Sequence, residues 1–310
     1  MAKKRWQSYA YLLLNTVCWG AALVIVKPSL AFITPTRFLL YRFFFAALLS
    51  IPVLLRFAPK IKKLPQQLLT ITLLELLGTS LALFTLYTGL SMTGAIEASL
   101  IGTTGPIFIV LMGIFLLHER EEKREWMGLG LSFLGSVMLA VGPFFSAGFN
   151  WQMGARAAIG NGLIVLYNIL TAWYFILAKT RYRRLPKLFV SAISFYVGLI
   201  TFALLALVAA QSAGQLSQLW QTVQSDFSHS EVWVASLYMA TFGSIIGLTA
   251  YIKGQDGIEA SEASLFTYLQ PLVYVPLGMV VLAESLIWHQ LLALALLLAG
   301  VGIAAVKAKK

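Results

Sequence analysis

Long apolar stretches, separated by short polar joints, run through the whole chain. A helix needs roughly 20 apolar residues to cross about 30 Å of hydrocarbon. Ten stretches reach this length, and we number them spans 1 to 10: 7–26, 36–55, 66–88, 95–117, 126–145, 157–178, 188–210, 232–252, 261–282 and 288–306. The pattern predicts an all-α membrane protein with ten transmembrane helices. Only 211–231 is long enough to form a small extramembrane loop.

The composition excludes a soluble domain. Of the 310 residues, 59% are apolar and 11% are charged, where soluble domains contain roughly half and a quarter. The net charge of +11 could indicate a nucleic-acid partner, but the basic residues form short clusters between the spans rather than one basic face. We therefore expect a lipid bilayer, and no nucleic acid, as the partner.

The distribution of basic residues predicts the orientation. With the N-terminus in the cytoplasm, 19 of the 23 lysines and arginines lie on the inner side, as the positive-inside rule requires. Both termini are then predicted to be cytoplasmic, which an even number of spans allows. The basic N-terminus followed by span 1 resembles a signal peptide, but without a cleavage site it is interpreted as an uncleaved first span.

The two halves of the chain resemble each other. Residues 89–142 can be aligned with 254–307 without a gap. The matched positions include Glu97-Ala98-Ser99-Leu100 with Glu262-Ala263-Ser264-Leu265, Pro106 with Pro271, Glu119 with Glu284, and Gly135 with Gly300. Each half, 1–150 and 151–310, would contain five spans, so the second would enter the membrane from the opposite side. Such inverted repeats are typical of secondary transporters, with substrate bound near the midplane.

These features resemble a known family. Trp19-Gly20 followed by Lys27 in span 1, together with the repeated Glu-Ala-Ser, Pro and Glu pattern, is similar to the EamA-type exporters of the drug/metabolite transporter superfamily. The resemblance covers nearly the whole chain, although the second half has Ala172-Trp173 where Trp-Gly is expected. It implies two five-helix repeats around a central cavity, alternating access, and export of amino acids, related metabolites or drugs across a bacterial cytoplasmic membrane.

Glu75 is the only carboxylate predicted to lie well inside a span. Charged groups there are costly and usually face a cavity or a partner. Glu75 is therefore a candidate for binding a coupling proton or a substrate amine. The alternative is a structural acid bonded to a neighbouring helix.

Polar and aromatic side chains at helical spacing are the other candidates for substrate binding. Asn15 and Trp19 share one face of span 1, and further stripes occur on spans 6 and 8. The full set of candidates is Asn15, Trp19, Glu75, Asn161, Tyr167, Asn168, Tyr238 and Thr241. For each, interhelical packing is the alternative to lining the cavity.

Pro106 and Pro271 lie at matching positions in spans 4 and 9. Each removes a helical hydrogen bond, so both are candidate gating positions, with a static kink as the alternative. Glu97 is expected to cap its helix, and Glu284 to tie the ends of the bundle. Arg42 is expected to snorkel to the outer membrane surface, with anion binding as the alternative.

No enzyme or cofactor is expected. The three histidines are not at metal-ligand spacing, and the sequence contains no hydrolase motif and no phosphate-binding loop. The predicted function is a secondary transporter that exports small neutral metabolites such as amino acids. The alternatives are an exchanger of phosphorylated or nucleotide-linked metabolites, and a multidrug or lipid-type exporter.

Overall fold

The computed structural model describes residues 2–60, 64–102, 104–117, 123–146, 151–182, 185–255 and 265–305. Within these ranges all regular secondary structure is helical. The first half contains the helices Ala2–Gly20, Ala22–Val26, Pro35–Phe57, Leu64–Glu75, Ala82–Met92, Ala95–Gly102, Gly105–Leu117 and Lys123–Ser146. The second contains Trp151–Arg181, Lys187–Ser212, Leu219–Phe227, Ser230–Tyr238, Gly247–Gln255, Pro271–Val281 and Trp288–Ala305.

Every predicted span contains an apolar helix. In the part of the chain that the structure describes, six helices are long and apolar enough to cross a membrane, and they correspond to spans 1, 2, 3, 6, 7 and 8. Shorter apolar helices lie in spans 4, 5, 9 and 10. The prediction of an all-α membrane protein is confirmed.

Spans 3 and 8 each contain a π-helical segment, which widens the helix locally. The segments are Leu76–Leu81 and Met239–Ile246. Their last residues, Leu81 and Ile246, are separated by the same offset as Glu97 and Glu262 of the sequence repeat. The sequence did not predict these segments.

Spans 4 and 9 are broken rather than continuous. Span 4 divides into Ala95–Gly102 and Gly105–Leu117, and span 9 changes from a 3₁₀ turn, Leu265–Leu269, to the helix that begins at Pro271. The prolines predicted to kink continuous helices instead lie in the first turn of new helices, where a missing N–H costs little.

Among the described residues, the most extensive contacts between spans have equivalents between the matching spans of the other half. Span 1 packs along span 8, and span 6 packs along span 3. Span 2 packs on its counterpart, span 7, and span 5 packs on span 10. This arrangement supports an internal repeat.

Glu284 links the two halves at one end of the bundle. Its Oε1 accepts a hydrogen bond from the backbone N–H of Ala95 at 2.7 Å, and its Oε2 accepts one from Ile96 at 2.8 Å. Glu284 therefore caps the first helix of span 4. The expected cap, Glu97, instead accepts hydrogen bonds from Thr93 and Asn161. The matching Glu119 and Glu262 lie outside the described residues.

Candidate functional site

Glu75 is completely buried, with 0% of its surface exposed. Its Oε1 accepts hydrogen bonds from the hydroxyls of Tyr174 at 2.8 Å and Tyr182 at 3.0 Å, and its Oε2 accepts one from Thr79. Ser194 of span 7 lies near this carboxylate, but its hydroxyl donates to the carbonyl of Val190 at 3.0 Å. Among the described residues, Glu75 forms no ion pair with a lysine or arginine. The carboxylate is therefore held by hydroxyl groups alone.

The contact between spans 3 and 6 at this site depends on Gly78. A Cβ atom added at Gly78 would lie 2.3 Å from ring atoms of Tyr174, closer than real atoms approach. Glycine in the π segment thus allows the tyrosine ring to lie against the backbone and to direct its hydroxyl toward Glu75.

Arg42 lies inside the bundle, so the expectation that it reaches the membrane surface is wrong. Its side chain is 7% exposed. Its Nη1 donates to the Tyr87 hydroxyl at 3.1 Å, and its Nη2 donates to Ser244 Oγ at 3.3 Å. The guanidinium carbon lies 5.1 Å from the centre of the Phe43 ring. Tyr167, a predicted binding residue, packs against the apolar cluster that contains Phe43 and Tyr87.

A narrow cleft with a cavity volume of about 40 Å³ lies between spans 2, 7 and 8 and is partly open to the surroundings. Hydroxyl groups line it at four positions: Ser50, Ser191, Ser244 and Thr249. The other lining residues are apolar, so the cleft combines a mainly apolar wall with a few polar groups, as small-molecule sites do. Ser244 belongs both to the cleft wall and to the contacts of Arg42.

The predicted binding residues of span 1 contact backbone groups of span 8. Trp19 Nε1 donates to the carbonyl of Gly243 at 2.9 Å, and Asn15 Nδ2 donates to that of Gly247 at 2.9 Å. These carbonyls lie in or directly after the π segment, where the regular helical pattern is disturbed. Tyr238 donates in the opposite direction, to the carbonyl of Cys18 at 2.9 Å.

The predicted residues of span 6 contact span 4. Asn168 Nδ2 donates to the carbonyl of Ile101 at 2.8 Å and to Thr104 Oγ1 at 2.9 Å, at the break in span 4. Asn161 Nδ2 donates to Glu97 at 3.0 Å. Asn168 thus supports irregular backbone within the bundle, as buried carbonyls require.

The remaining candidates are Thr241, Pro271 and Pro106, and no described hydrogen bond links them to Glu75 or Arg42. Thr241 is half-buried and donates to carbonyls of its own helix, Leu237 and Tyr238. Pro271 begins the second part of span 9 and is buried. Pro106 lies in the first turn of the corresponding helix, and its side chain is outside the described part of the structure.

Sequence reasoning found Glu75 and placed Tyr174 and Ser244 on the helical stripes of spans 6 and 8, but it did not connect these side chains with the buried charges. Thr79 and Ser244, the hydroxyls next to the two buried charges, occupy equivalent positions in the two halves, so the repeat was a signal that could have found them. No such signal indicates Tyr182 or Tyr87. Within the described ranges, no group of histidine, cysteine and acidic side chains has a metal-binding arrangement.

Comparisons with known proteins agree with this architecture. The sequence model of the EamA-like transporter family matches the chain twice, over residues 6–141 and 158–306. The uncharacterized transporter YcxC of Bacillus subtilis is 26% identical over 303 residues, which cover 96% of this chain and 93% of that protein. A crystal structure with 18% sequence identity covers 97% of both chains with a TM-score of 0.61, which shows a shared fold.

Two further relatives have similar descriptions. The uncharacterized transporter YetK of Bacillus subtilis is 26% identical over 72% of this chain, and the chain spans 63% of that protein, slightly less than two thirds. The uncharacterized inner membrane transporter YedA of Escherichia coli is 25% identical over 84% of this chain and 78% of its own length. The fold and these matches define an integral membrane transporter. The chain belongs to the EamA-like transporter family.

Proposed function

We propose that this protein is a secondary transporter that exports small neutral metabolites, such as amino acids, from a bacterial cytoplasm by alternating access. The observation that carries the proposal is Glu75: a fully buried carboxylate whose hydrogen-bond partners among the described residues are all hydroxyls, those of Thr79 on span 3, Tyr174 on span 6, and Tyr182 directly after the span 6 helix. An ionised carboxylate without a cation is costly in an apolar interior. A proton that binds there and leaves again is therefore a means of driving transport.

Proton binding at Glu75 would change the contacts between helices. An ionised carboxylate accepts hydrogen bonds from Tyr174, Tyr182 and Thr79, whereas a protonated one must itself donate one bond. Thr79 lies in the π segment of span 3, the Tyr174 ring of span 6 packs against this segment at Gly78, and Tyr182 directly follows the span 6 helix. π segments and helix breaks are positions where helices bend. The proton would thus bias spans 3 and 6 between two arrangements, as alternating access requires.

The cleft supports a small, mostly apolar ligand. Its wall carries a few hydroxyl groups among apolar side chains and no described lysine or arginine. A ligand with several negative charges would be left without partners there, because phosphates need multiple cationic or backbone donors. This favours neutral metabolites over sugar phosphates or nucleotide-linked substrates.

The proposal is tested with Glu75→Gln in proteoliposomes that carry a pH gradient, using radiolabelled methionine, threonine and phenylalanine. The amide preserves the shape of the side chain, so the variant should fold with a melting temperature close to that of the wild type. Transport should lose its response to the pH gradient. Transport with unchanged pH dependence would make Glu75 a structural acid.

Glu97→Gln is the matched control. Glu97 is also a buried acid, 8% exposed, but it contacts Thr93 and Asn161 rather than the π segment of span 3. Its variant should keep the pH response. Transport of sugar phosphates or nucleotide sugars, without any amino acid or neutral amine, would contradict the proposed substrate class.

A further inference from the structure

Arg42 is a buried cation that lacks a counter-charge among the described residues. Its partners are two neutral hydroxyls, those of Tyr87 and Ser244. Its Nε has no hydrogen-bond acceptor and is shielded from solvent. A buried guanidinium in a protein is usually paired with an acid. This one retains the capacity to bind an anion.

The cleft leads toward this guanidinium. Ser50 lies eight residues after Arg42 on the same helix, about 12 Å closer to the end predicted to be cytoplasmic. Ser50 and Ser244 both line the cleft, and Ser244 contacts Arg42 Nη2. A ligand carboxylate that enters along the cleft therefore meets the Ser244 hydroxyl first and can replace it on Arg42.

Glu75 and Arg42 are too far apart to bind the two charges of one amino acid. Span 3 carries Glu75 and also Tyr87, whose hydroxyl accepts a hydrogen bond from Arg42 Nη1. Glu75 and Tyr87 are twelve residues apart on this span, which is about 18 Å along the helix. The ammonium and carboxylate groups of an amino acid are attached to one carbon atom. Glu75 is thus left free for the proton when the carboxylate is at Arg42.

We propose that Arg42 binds the carboxylate of the transported molecule, and that the ligand is a small monocarboxylate with an apolar side chain. The guanidinium supplies two donors in a plane, which matches the two oxygens of a carboxylate. Phe43 and Tyr87 flank the guanidinium and exclude water. The inference rests on the proposed transport function and specifies what its site recognises.

The geometry favours a carboxylate over a phosphate. A carboxylate carries one negative charge, which one guanidinium balances. A phosphate at neutral pH carries between one and two charges and has more oxygens to satisfy. Among the described residues, no second lysine or arginine contacts Tyr87 or Ser244.

The test compares ligands that differ in the carboxylate. Thermal stabilisation of the purified protein in nanodiscs is measured with L-methionine, L-methioninamide, 4-phenylbutyrate and inorganic phosphate. Methionine and 4-phenylbutyrate should raise the melting temperature, whereas methioninamide and phosphate should not. In Arg42→Gln, the apparent affinity for methionine should fall by roughly tenfold or more, because a charge-assisted bidentate contact is lost.

Arg56→Gln is the matched control, because Arg56 lies in the last turn of the same helix and is exposed. It should bind methionine as the wild type does. In case Arg42→Gln fails to fold, the wild-type protein provides a second measurement: labelling of arginine by phenylglyoxal, located by peptide mass spectrometry. Methionine should protect Arg42, and methioninamide should not. Unprotected labelling, or an Arg42 that never reacts, would overturn the proposal.

The outcomes separate this inference from the transport function. Amino-acid transport with methionine affinity unchanged in Arg42→Gln would overturn the carboxylate site and leave the proposed function intact. Binding of 4-phenylbutyrate that depends on Arg42, without transport of any amino acid, would support the carboxylate site and contradict amino-acid export. Binding of phosphate that depends on Arg42 would overturn the choice of carboxylate.

Discussion

At the residue scale, several buried polar side chains in this bundle serve backbone groups of other helices. Trp19, Asn15 and Asn168 all donate to carbonyls in or next to irregular helical segments. An unsatisfied carbonyl is costly inside a membrane, so these side chains stabilise the irregular segments there. Lining a cavity and supporting the backbone are compatible roles, because a segment held by a side chain can also be released by a ligand.

Gly78 is the residue at which a small change should have a large effect. Gly78→Ala places a methyl group against the Tyr174 ring, which must move away from Glu75. We expect a loss of about 1–3 kcal/mol in stability, as for overpacked interiors, together with reduced transport. Thermal unfolding and proteoliposome uptake measure the two effects.

Gly162→Ala is the control for this change. Gly162 lies on span 6, and a Cβ atom there would have no neighbour within 4 Å. Because alanine is a better helix former than glycine by up to about 1 kcal/mol, this variant should be as stable as the wild type or more stable. Equal melting temperatures for both variants would show that the Tyr174 ring is not held as described.

At the element scale, the positions of the spans were predictable, but their irregularities were not. A window of about 20 apolar residues identifies a span whatever its neighbours are. The π segment Met239–Ile246, in contrast, is supported by Trp19 and Asn15 from a helix in the other half of the chain. The burial of Arg42 likewise depends on which side of its helix faces the bundle. Such features follow from tertiary packing, which one sequence does not reveal.

The loop between spans 7 and 8 is attached to span 2 by an ion pair. Asp226 is 4% exposed, and its Oδ1 accepts a hydrogen bond from Arg37 Nη1 at 2.7 Å, while its Oδ2 accepts one from Tyr41 at 2.6 Å. The sequence predicted an extramembrane loop there, and the structure adds the helix Leu219–Phe227. The ion pair therefore fixes this helix on the end of the bundle.

Asp226→Asn should loosen this end of the bundle. Because the arginine side chain is 29% exposed and water screens part of the attraction, we expect a moderate loss of about 1–2 kcal/mol rather than the value for a fully buried pair. Proteolysis of the 211–231 loop and thermal unfolding measure it. Glu231→Gln, at the end of the same loop, should have no effect, since Glu231 bonds only to its neighbour Ser230 among the described contacts.

At the scale of the whole molecule, the two π segments contact buried groups of opposite charge. Thr79 and Ser244 occupy equivalent positions in the two π segments, but the first contacts a carboxylate and the second a guanidinium. Both charged residues belong to the first half: Glu75 lies on the same span as the π segment it contacts, whereas Arg42 of span 2 reaches the π segment of the second half. Duplication supplies the symmetric frame that alternating access uses, and divergence of single residues supplies the separate proton and substrate sites that we propose.

The inverted orientation of the halves is open to a direct test. Single cysteines are introduced at Gln66, Arg183 and Ser217 in a protein that carries Cys18→Ala. Gln66 and Ser217 are exposed, and Arg183 lies outside the described residues. With 19 of 23 basic residues on the cytoplasmic side, the positive-inside rule predicts that Gln66 and Arg183 positions react with a membrane-impermeant maleimide only in inverted vesicles. The Ser217 position should react only in intact spheroplasts. An odd number of spans per half requires this result, so labelling of the Arg183 and Ser217 positions from one side would refute the inverted repeat.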